Sequence, residues 1–279
     1  MSFAEKMTAI ANAIRNKTGK TDKLSLDEMA TEINEISSGE RDINPEWTNW
    51  SYFCQYRDSL AAKLKYSDTS NGTNFSYMFY YCSDLTTFPA LDTSNGTDFS
   101  YMCAYCSNVK TSHIFNTNKG TNLGYMFRGC TSLITAPALD TSNNTTFSNM
   151  FNACSSLTTI PAYNTSKGTN FGYMFYNCYK LTSIPQLDVT LATSTSAFNN
   201  TFSACRALVD LNIVGTINAT NLNVQNSPLS HDSLMSIINA LADKTGVSGT
   251  WKVTLGATNL AKLTADEIAI AEGKGWTLA

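Results

Sequence analysis

The sequence predicts an α/β repeat solenoid, in which right-handed, leucine-rich-repeat-like coils of about 24 residues surround one continuous core and carry a parallel sheet. Three observations lead to this fold class. A motif recurs at a fixed spacing, each copy contains an apolar stripe, and a short segment rich in Thr and apolar residues follows each stripe. A unit of this size cannot bury its apolar side chains alone, so neighbouring copies must stack.

The motif is clearest in five consecutive copies, which begin at positions 75, 99, 123, 147 and 171 and are therefore evenly spaced. A sixth clear copy begins at 198, slightly later than this period predicts, and a degenerate copy at 50 precedes the series. We name the seven copies coils 1 to 7, and together they span residues 47–213. In chain order they read WSYFCQYRDSL (50–60), FSYMFYYCSDL (75–85), FSYMCAYCSNV (99–109), LGYMFRGCTSL (123–133), FSNMFNACSSL (147–157), FGYMFYNCYKL (171–181) and FNNTFSACRAL (198–208).

Each copy has the apolar spacing of a short helix. Phe75, Met78, Phe79 and Cys82 occupy positions i, i+3, i+4 and i+7, which predicts about two helical turns with one face in the core. The following segment, LTTFPAL (85–91), predicts a short strand that pairs in parallel with its counterpart in the next copy.

A glycine series in the connecting loops predicts a left-handed backbone position in every coil. Only Gly, and next best Asn, adopts positive φ at low cost, and one coil carries Asn in place of Gly. The series is Gly72, Gly96, Gly120, Asn144 and Gly168.

The flanks predict two further parts. Residues 1–38 carry two amphipathic patterns, one through Phe3 and Met7 and one through Leu26 and Met29, and predict a helical hairpin. A hairpin of this size is too small to be stable alone, so we expect it to dock on the first coil, to self-associate into a homo-oligomer or to attach the chain to a larger assembly. Residues 214–279 predict a mixed C-terminal cap: a helix through Leu234 that ends near Gly246, a strand at 250–255 and a last helix capped by Thr264 with Glu267.

The amino-acid composition disfavours several classes of binding partner. The formal net charge is −3 and 15% of residues are charged, which disfavours nucleic acid and anionic membranes as partners. No apolar run is long enough for a membrane-spanning helix, so we expect no membrane insertion. The first residues do not have the pattern of a secretion signal, so we expect the protein to be made in the cytosol and released by another route.

The cysteines predict a structural ladder rather than a reactive site. Six recur at the M-F-x-x-C position and are read as buried free thiols that act as small hydrophobic side chains, with disulfides, metal binding and catalysis as the alternatives. The ladder consists of Cys82, Cys106, Cys130, Cys154, Cys178 and Cys205. Cys54 and Cys103 stand where other coils have Phe, which accounts for the C-x-x-C pair Cys103–Cys106 without zinc or redox chemistry.

The sequence contains no strong motif for catalysis or metal binding. We therefore expect that the protein is not an enzyme and binds neither a metal nor a cofactor. His113 and His231 have no evident Ser or Cys partner in sequence. DTSNGTD (92–98) has the oxygen donors of a calcium loop in Asp92, Asn95 and Asp98, but its equivalents in other coils differ, so a turn is the favoured interpretation.

Two rows of side chains outside the core are the candidate ligand-binding surface. A polar row on the predicted strand consists of Thr87, Thr111, Thr135, Thr159 and Ser183. An aromatic row before each core Met consists of Tyr77, Tyr101, Tyr125 and Tyr173, with Asn149 in the remaining coil. Such rows can contact sugars or a partner protein, or can be surface residues without a ligand.

The M-F-x-x-C-x-x-L core, as in MFYYCSDL (78–85), resembles the BspA-like leucine-rich repeats of bacterial surface proteins. The resemblance covers all seven coils, which is more than half of the chain, and implies adhesion or protein binding rather than catalysis. Residues 10–36 resemble N-terminal segments of phage and prophage tail proteins of Gram-positive bacteria, and residues 233–246 and 260–279 resemble the ends of repeat proteins from the same setting.

These resemblances imply a recognition protein of a phage or prophage tail that is assembled in the bacterial cytoplasm. The solenoid would bind a cell-surface glycan or protein, and the N-terminal hairpin would contact other tail proteins. Two alternatives stay open: a structural tail or baseplate spacer that binds no receptor, and an adhesin located on the bacterial cell surface that binds host proteins.

Overall fold

The computed structural model describes residues 48–58, 61, 64, 68–112 and 115–279. The predicted N-terminal hairpin and His113 lie outside the described residues. No helix among the described residues has both the length and the apolar character needed to cross a membrane.

Successive coils are joined by backbone hydrogen bonds that repeat with the sequence motif. In coil 2, the N–H groups of Phe75, Tyr77, Phe79 and Tyr81 donate to carbonyl groups of coil 3 at 2.9, 3.0, 2.8 and 2.9 Å. Single-residue parallel bridges run along the same edge, through Asn49, Asn74, Asp98, Asn122, Thr146 and Asn170. Each coil is therefore held in register with the next by main-chain atoms.

The predicted helix in each coil is wrong. Between the inter-coil donors, the N–H groups of Met78 and Cys82 donate to the carbonyls three residues earlier, Phe75 and Phe79, at 3.2 and 3.0 Å. Tyr77 and Tyr81 have φ of 58° and 60°, values that no right-handed helix contains. The segment is a series of tight turns in which alternate N–H groups point to the neighbouring coil.

The left-handed position predicted for the glycine series is also wrong, because these glycines do not have positive φ. Glycine is present because there is no room for a side chain. A Cβ on Gly96 would lie 2.2 Å from Cζ of Phe99, and one on Gly72 would lie 2.3 Å from Cζ of Phe75. The loops bring the backbone against the core phenylalanine rings.

Asn144 takes the place of this glycine in one coil, and the coil before it has Leu123 where coils 2, 3, 5, 6 and 7 have Phe. Its Oδ1 accepts the Leu123 N–H at 3.0 Å, and its Nδ2 donates to the Thr146 carbonyl at 2.8 Å. In other coils the corresponding N–H bonds directly to the next coil, as Phe147 does to Asn170 at 2.9 Å. The fully buried Asn144 amide thus bridges one interrupted inter-coil hydrogen bond.

Regular strands, within the described coils, occur only toward the C-terminal end. β1 (Ser183–Asp188) pairs in parallel with β2 (Asp210–Val214), and single parallel bridges join Thr135 to Thr159 and Thr159 to Ser183. Thr87 and Thr111, both described, are not joined by such a bridge. The strand predicted for every coil is thus reduced to bends in coils 2 and 3.

The C-terminal region contains three helices and two short strands. α1 (His231–Ala240) packs on β2, and β3 (Lys252–Val253) pairs in parallel with β4 (Thr277–Leu278). α2 (Ala257–Leu260) and α3 (Ala265–Gly273) lie between those strands in sequence.

Two details of this region bear on the sequence predictions. The capping box of α3 is confirmed, because Thr264 and Glu267 each accept the other's backbone N–H. The first helix ends at Ala240 rather than near Gly246, since Leu241 has an extended conformation.

The core runs continuously through all seven coils. Stacked phenylalanines form two lines, with ring centroids of Phe75 and Phe99 5.6 Å apart and those of Phe127 and Phe151 5.7 Å apart. Both lines are buried together with the core methionines and cysteines. This packing orients each turn segment, so that the tyrosines lie on the side away from the core.

Candidate functional site: a tyrosine face

Two residues of every coil, its third and its seventh, have a left-handed backbone. Non-glycine residues rarely adopt this conformation, and the bulky tyrosine is an outlier among them. The third positions are Tyr52, Tyr77, Tyr101, Tyr125, Asn149, Tyr173 and Asn200; the seventh positions are Tyr56, Tyr81, Tyr105, Gly129, Ala153, Asn177 and Ala204. Because the backbone repeats, side chains at equivalent positions lie one above another.

The third-position tyrosines of coils 1 to 4 form a stack of parallel rings. Centroid distances are 4.6 Å from Tyr52 to Tyr77, 4.5 Å from Tyr77 to Tyr101, and 4.2 Å from Tyr101 to Tyr125. The interplanar angles are 8°, 8° and 11°. Each inner ring therefore has both faces covered by its neighbours.

A second stack at the seventh position runs beside the first. Tyr56 and Tyr81 are 5.1 Å apart and Tyr81 and Tyr105 are 4.4 Å apart. It ends at Gly129, where an added Cβ would lie only 2.5 Å from the Tyr105 ring. Glycine is thus required here by the approach of the ring, since other coils carry Tyr, Ala or Asn at the same left-handed position.

Tyr80 and Arg128 join the two stacks. The Tyr80 ring stands edge-on to Tyr77 at 5.3 Å and to Tyr105 at 5.6 Å. The Arg128 guanidinium lies 5.5 Å from the Tyr105 centroid and 5.6 Å from that of Tyr125. We call the resulting surface the tyrosine face; it consists of Tyr52, Tyr56, Tyr77, Tyr80, Tyr81, Tyr101, Tyr105, Tyr125 and Arg128.

The tyrosine face is partly open to solvent. Tyr56 is 56% exposed and Tyr81 is 39% exposed, whereas Tyr77, Tyr101 and Tyr125 are half-buried. Burial raises the pKa of Tyr80 to about 12 and also raises the pKa of Tyr77. These phenols are therefore protonated at neutral pH and can donate hydrogen bonds to a ligand.

Of the predicted aromatic row, the structure brings three members together and separates the fourth. Asn149 interrupts the stack after Tyr125, and its Oδ1 accepts a hydrogen bond from Asn152 at 2.7 Å. Tyr173 lies beyond it and packs on Tyr176 at 5.6 Å. The tyrosine face thus belongs to coils 1 to 4.

Sequence patterns did not indicate Tyr52, the second stack, Tyr80 or Arg128 as parts of this surface. A signal for the second stack was present: Asn, Gly and Ala replace Tyr at the seventh position as Asn does at the third, and Asn and Gly are typical of left-handed backbone. The helical interpretation assigned no such conformation to the segment, so the second position was not recognised.

The predicted polar row lies on the segment that follows each turn series. Thr87, Thr111, Thr135 and Thr159 are exposed, and Ser183 is half-buried at the start of β1. Backbone bridges hold Thr135, Thr159 and Ser183 in line. The row is continuous only in the later coils.

The cysteines lie on the core side of the turn segments, and all eight are free and buried. Each ladder thiol donates to a carbonyl of the preceding coil, as Cys106 does to Phe79 at 3.0 Å and Cys154 to Phe127 at 3.1 Å. Burial raises the pKa of Cys82 and Cys130 to about 12, which suppresses the nucleophilic thiolate.

The remaining candidate groups make contacts within the chain. Asp92 and Asp98, the donors of the calcium-like loop, accept the N–H groups of Ser94 and Ser100, each at 2.9 Å. His231 Nε2 lies 2.8 Å from Glu267 Oε1 and links α1 to α3. Within the described ranges, no group of three or more His, Cys, Asp or Glu side chains is arranged to hold a metal ion.

A protein family described as "Mycoplasma protein of unknown function, DUF285" matches residues 48–157 and 111–211. The chain belongs to this family. The DUF285 matches include the repeated motifs of all seven coils, residues 50–208, and therefore the whole tyrosine face. Among curated proteins, none matches the chain.

Proposed function

We propose that this DUF285 protein is a non-enzymatic recognition protein, built as a right-handed solenoid of the BspA-like leucine-rich-repeat type. We propose further that it is a component of a phage or prophage tail and binds a ligand on the bacterial cell surface. The observation that carries the recognition role is the tyrosine face, a partly exposed aromatic surface spanning four coils.

The composition of the tyrosine face supports binding. Tyr and Arg are enriched among residues that contribute most to protein interfaces. A tyrosine side chain has few rotatable bonds, and rings such as Tyr101, already stacked at 4.5 and 4.2 Å, lose little further freedom when a ligand binds. Such a surface is preorganised for recognition.

The proposed location in a phage tail is based on the segments that flank the coils. Residues 10–36 resemble the N-terminal segments of tail proteins, so the segment 1–38 would attach the chain to the tail or to a second copy of itself. Assembly would then take place in the bacterial cytoplasm, and the coils would face the cell surface from the virion tail.

Binding to cells tests the recognition role. The fluorescently labelled full chain is mixed with a panel of Gram-positive bacteria and compared with the double variant Tyr101→Asn/Tyr105→Asn. Asn is natural at both positions in other coils, at Asn149 and Asn177, so the left-handed backbone is preserved. We expect at least about a tenfold loss of bound protein for the double variant, the effect of losing about 1.4 kcal/mol.

Tyr173→Asn is the matched control, because it makes the same change outside the tyrosine face and should alter binding less than about twofold. Undiminished binding of the Tyr101→Asn/Tyr105→Asn protein to cells that bind the wild type would exclude the tyrosine face. A Thr135→Glu/Thr159→Glu variant then tests the polar row as the alternative binding surface.

A structural spacer is the second candidate, because several polar rows are satisfied within the chain. The Thr97 hydroxyl donates to the Thr73 carbonyl at 3.1 Å, and Lys119 Nζ donates to Asn95 Oδ1 at 2.6 Å. Such side chains stabilise the stack without needing a ligand. Wild-type protein that binds no cell of the panel, while tails assembled with it remain intact, would favour the spacer.

A further inference from the structure

We infer that the tyrosine face binds an extended, carboxylate-bearing segment of a partner protein. This inference rests on the proposed recognition function and specifies the chemistry of the ligand. It is drawn from the covered ring faces, the half-exposed Arg128 guanidinium and the regular spacing of the two stacks.

The coverage of the tyrosine ring faces favours a peptide over a sugar as the ligand. A pyranose ring binds an aromatic residue by lying on its free face, but inner rings such as Tyr77 and Tyr101 are covered on both sides at 4.2 to 4.6 Å. What remains accessible is ring edges and phenolic O–H groups. These donors match the backbone carbonyls of an extended peptide, which are unpaired in that conformation.

The first stack is long enough for a short extended segment. Its partly exposed rings, from Tyr77 through Tyr101 to Tyr125, repeat at 4.5 and 4.2 Å, whereas Tyr52 is buried. An extended peptide advances about 3.3 Å per residue, so about three residues would run along these rings. The perpendicular Tyr80 ring joins the two stacks and makes the surface continuous.

Arg128 supplies the charge. Its guanidinium rests against Tyr105 and Tyr125, is half-exposed, and forms no ion pair with any residue in the described part of the chain. A guanidinium offers a planar pair of N–H donors that fits a carboxylate, and desolvation beside aromatic rings strengthens such a contact.

Asp98 acts near the Tyr77 part of the first stack, where it adds to the effect of burial in raising the Tyr77 pKa, and its Oδ1 accepts the Ser100 N–H at 2.9 Å. Arg128 lies against Tyr105 and Tyr125, two coils further along, and its guanidinium is complementary to a ligand carboxylate at that end of the face.

Fluorescence anisotropy with defined probes tests the inference. The full chain is titrated into labelled (Glu-Pro)6 and labelled (Gln-Pro)6, in which proline keeps both probes extended and only the charge differs. We expect the Glu probe to bind at least about tenfold more tightly, which corresponds to about 1.4 kcal/mol for one charge-assisted contact. Polygalacturonate, a carboxylated glycan, should compete more weakly than unlabelled (Glu-Pro)6.

Arg128→Gln should reduce the preference for the Glu probe to less than about twofold, and Arg128→Lys should restore only part of it because a lysine lacks the planar fork. Arg206→Gln is the matched control: Arg206 lies 5.6 Å from the Tyr179 ring, outside the tyrosine face, and its loss should leave the preference unchanged. Unfolding temperatures of the variants verify that each is folded.

Equal affinity of the wild type for the two probes, an undiminished preference in Arg128→Gln, or stronger competition by polygalacturonate would overturn the inference. The recognition function fails separately, in the cell-binding experiment. If Tyr101→Asn/Tyr105→Asn loses cell binding but the probes show no carboxylate preference, the recognition function stands and only the ligand chemistry is wrong.

Discussion

At the scale of single residues, the left-handed positions combine local strain with packing between coils. An L-residue in this conformation costs about 1–2 kcal/mol, yet 13 non-glycine residues adopt it in the part of the chain that the structure describes. Where the residue is Tyr, stacking offsets part of that cost, since an aromatic pair contributes about 0.5–1.5 kcal/mol beyond its buried area. Where it is Ala, no ring stacking is available.

Ala153→Gly should therefore stabilise the protein. Ala153 has φ of 62°, and glycine removes the steric cost at the expense of a more flexible unfolded chain. We expect a net gain of up to about 1 kcal/mol, measured as a shift of the urea midpoint. The control is Ala104→Gly, at a buried position without positive φ, which should destabilise; a destabilised Ala153→Gly would contradict the strain argument.

Gly96→Ala should destabilise by about 1–3 kcal/mol, because its Cβ would lie 2.2 Å from the Phe99 ring inside a packed core. The pair Phe75→Leu with Gly96→Asn reproduces the arrangement of Leu123 and Asn144. It should cost less than the sum of its two single variants in a double-mutant cycle of unfolding free energies.

Gly124→Ala provides the control for this cycle, since the nearest atom to its added Cβ is 3.3 Å away. This contact is tight but falls on the Asn122 side-chain oxygen, so the cost should be smaller than that of Gly96→Ala, whose Cβ meets a core ring. Additive costs for Phe75→Leu and Gly96→Asn would show that the Leu123–Asn144 pair is not a compensation.

At the scale of the element, side-chain ladders reinforce the backbone bonds between coils. The ladder thiols donate to preceding coils through the core, and buried threonines such as Thr141 donate to the carbonyl of the following coil, here Asn164, at 2.8 Å. Each ladder places a short polar side chain inside the stack with its partner already in reach. Both depend on the thiol or hydroxyl keeping its proton.

Stability should fall at alkaline pH because of the thiol ladder. Burial raises the pKa of Cys82, Cys130 and Cys205 from an ordinary 9.0 to about 12, so between these values the folded state holds protons that the unfolded state releases. This stabilisation is complete below pH 9 and is lost as the pH rises toward 12. Urea unfolding from pH 8 to 11 measures it.

Thiol counting tests the burial on which this effect depends. In folded protein at pH 8, iodoacetamide should modify almost none of the eight cysteines, and in denaturant it should modify all of them. Rapid modification of the folded protein, or fewer than six free thiols after denaturation without oxidant, would refute the buried ladder.

Thr141→Val should cost about 1 kcal/mol, because the Asn164 carbonyl loses its donor in a buried site. Thr145→Val is the exposed counterpart: its hydroxyl lies 3.4 Å from the Thr121 carbonyl, and its loss should cost less than about 0.5 kcal/mol. Thermal unfolding compares the two, and equal costs would show that the buried hydroxyl contributes nothing specific.

Sequence patterns predicted the repeat length, the core positions and three members of the tyrosine face, but not the local backbone. Phe75, Met78, Phe79 and Cys82 have the spacing of a helix face, and a series of tight turns with a similar period places the same side chains inward. Hydrophobic period alone cannot distinguish the two. The left-handed positions could not be recognised from their residue type in coils 1 to 3, because Tyr is not typical of positive φ.

At the scale of the whole molecule, all the ladders share one period. Backbone bonds, thiols, buried threonines and stacked rings each connect equivalent parts of neighbouring coils, as Thr141 does with Asn164 and Cys154 with Phe127. The right-handed sense of the solenoid stays a prediction, whereas the register is set by these contacts. Removing one whole period should therefore leave every ladder intact.

Deletion of residues 145–168 tests this shared register. It joins Asn144 to Thr169, so Asn144 keeps Leu123 in the preceding coil, Cys130 meets Cys178, and Tyr125 meets Tyr173. Because Asn149 is removed, the first tyrosine stack should extend from four rings to five. We expect a single cooperative unfolding transition, a stability lowered by one coil interface, and a larger near-ultraviolet circular dichroism signal per tyrosine.

Deletion of residues 149–168 is the matched comparison, since it removes less than one period and leaves a coil out of register. Core Phe and Cys positions would then lie next to polar positions of the neighbouring coil at the junction. A core whose stacked rings have centroids 5.5 to 6.0 Å apart is too closely packed to adjust to this mismatch. This protein should not unfold cooperatively. Equal stability of the two deletions would mean that the coils fold independently of their common period, and the tyrosine face would then be a local arrangement rather than a product of the repeat.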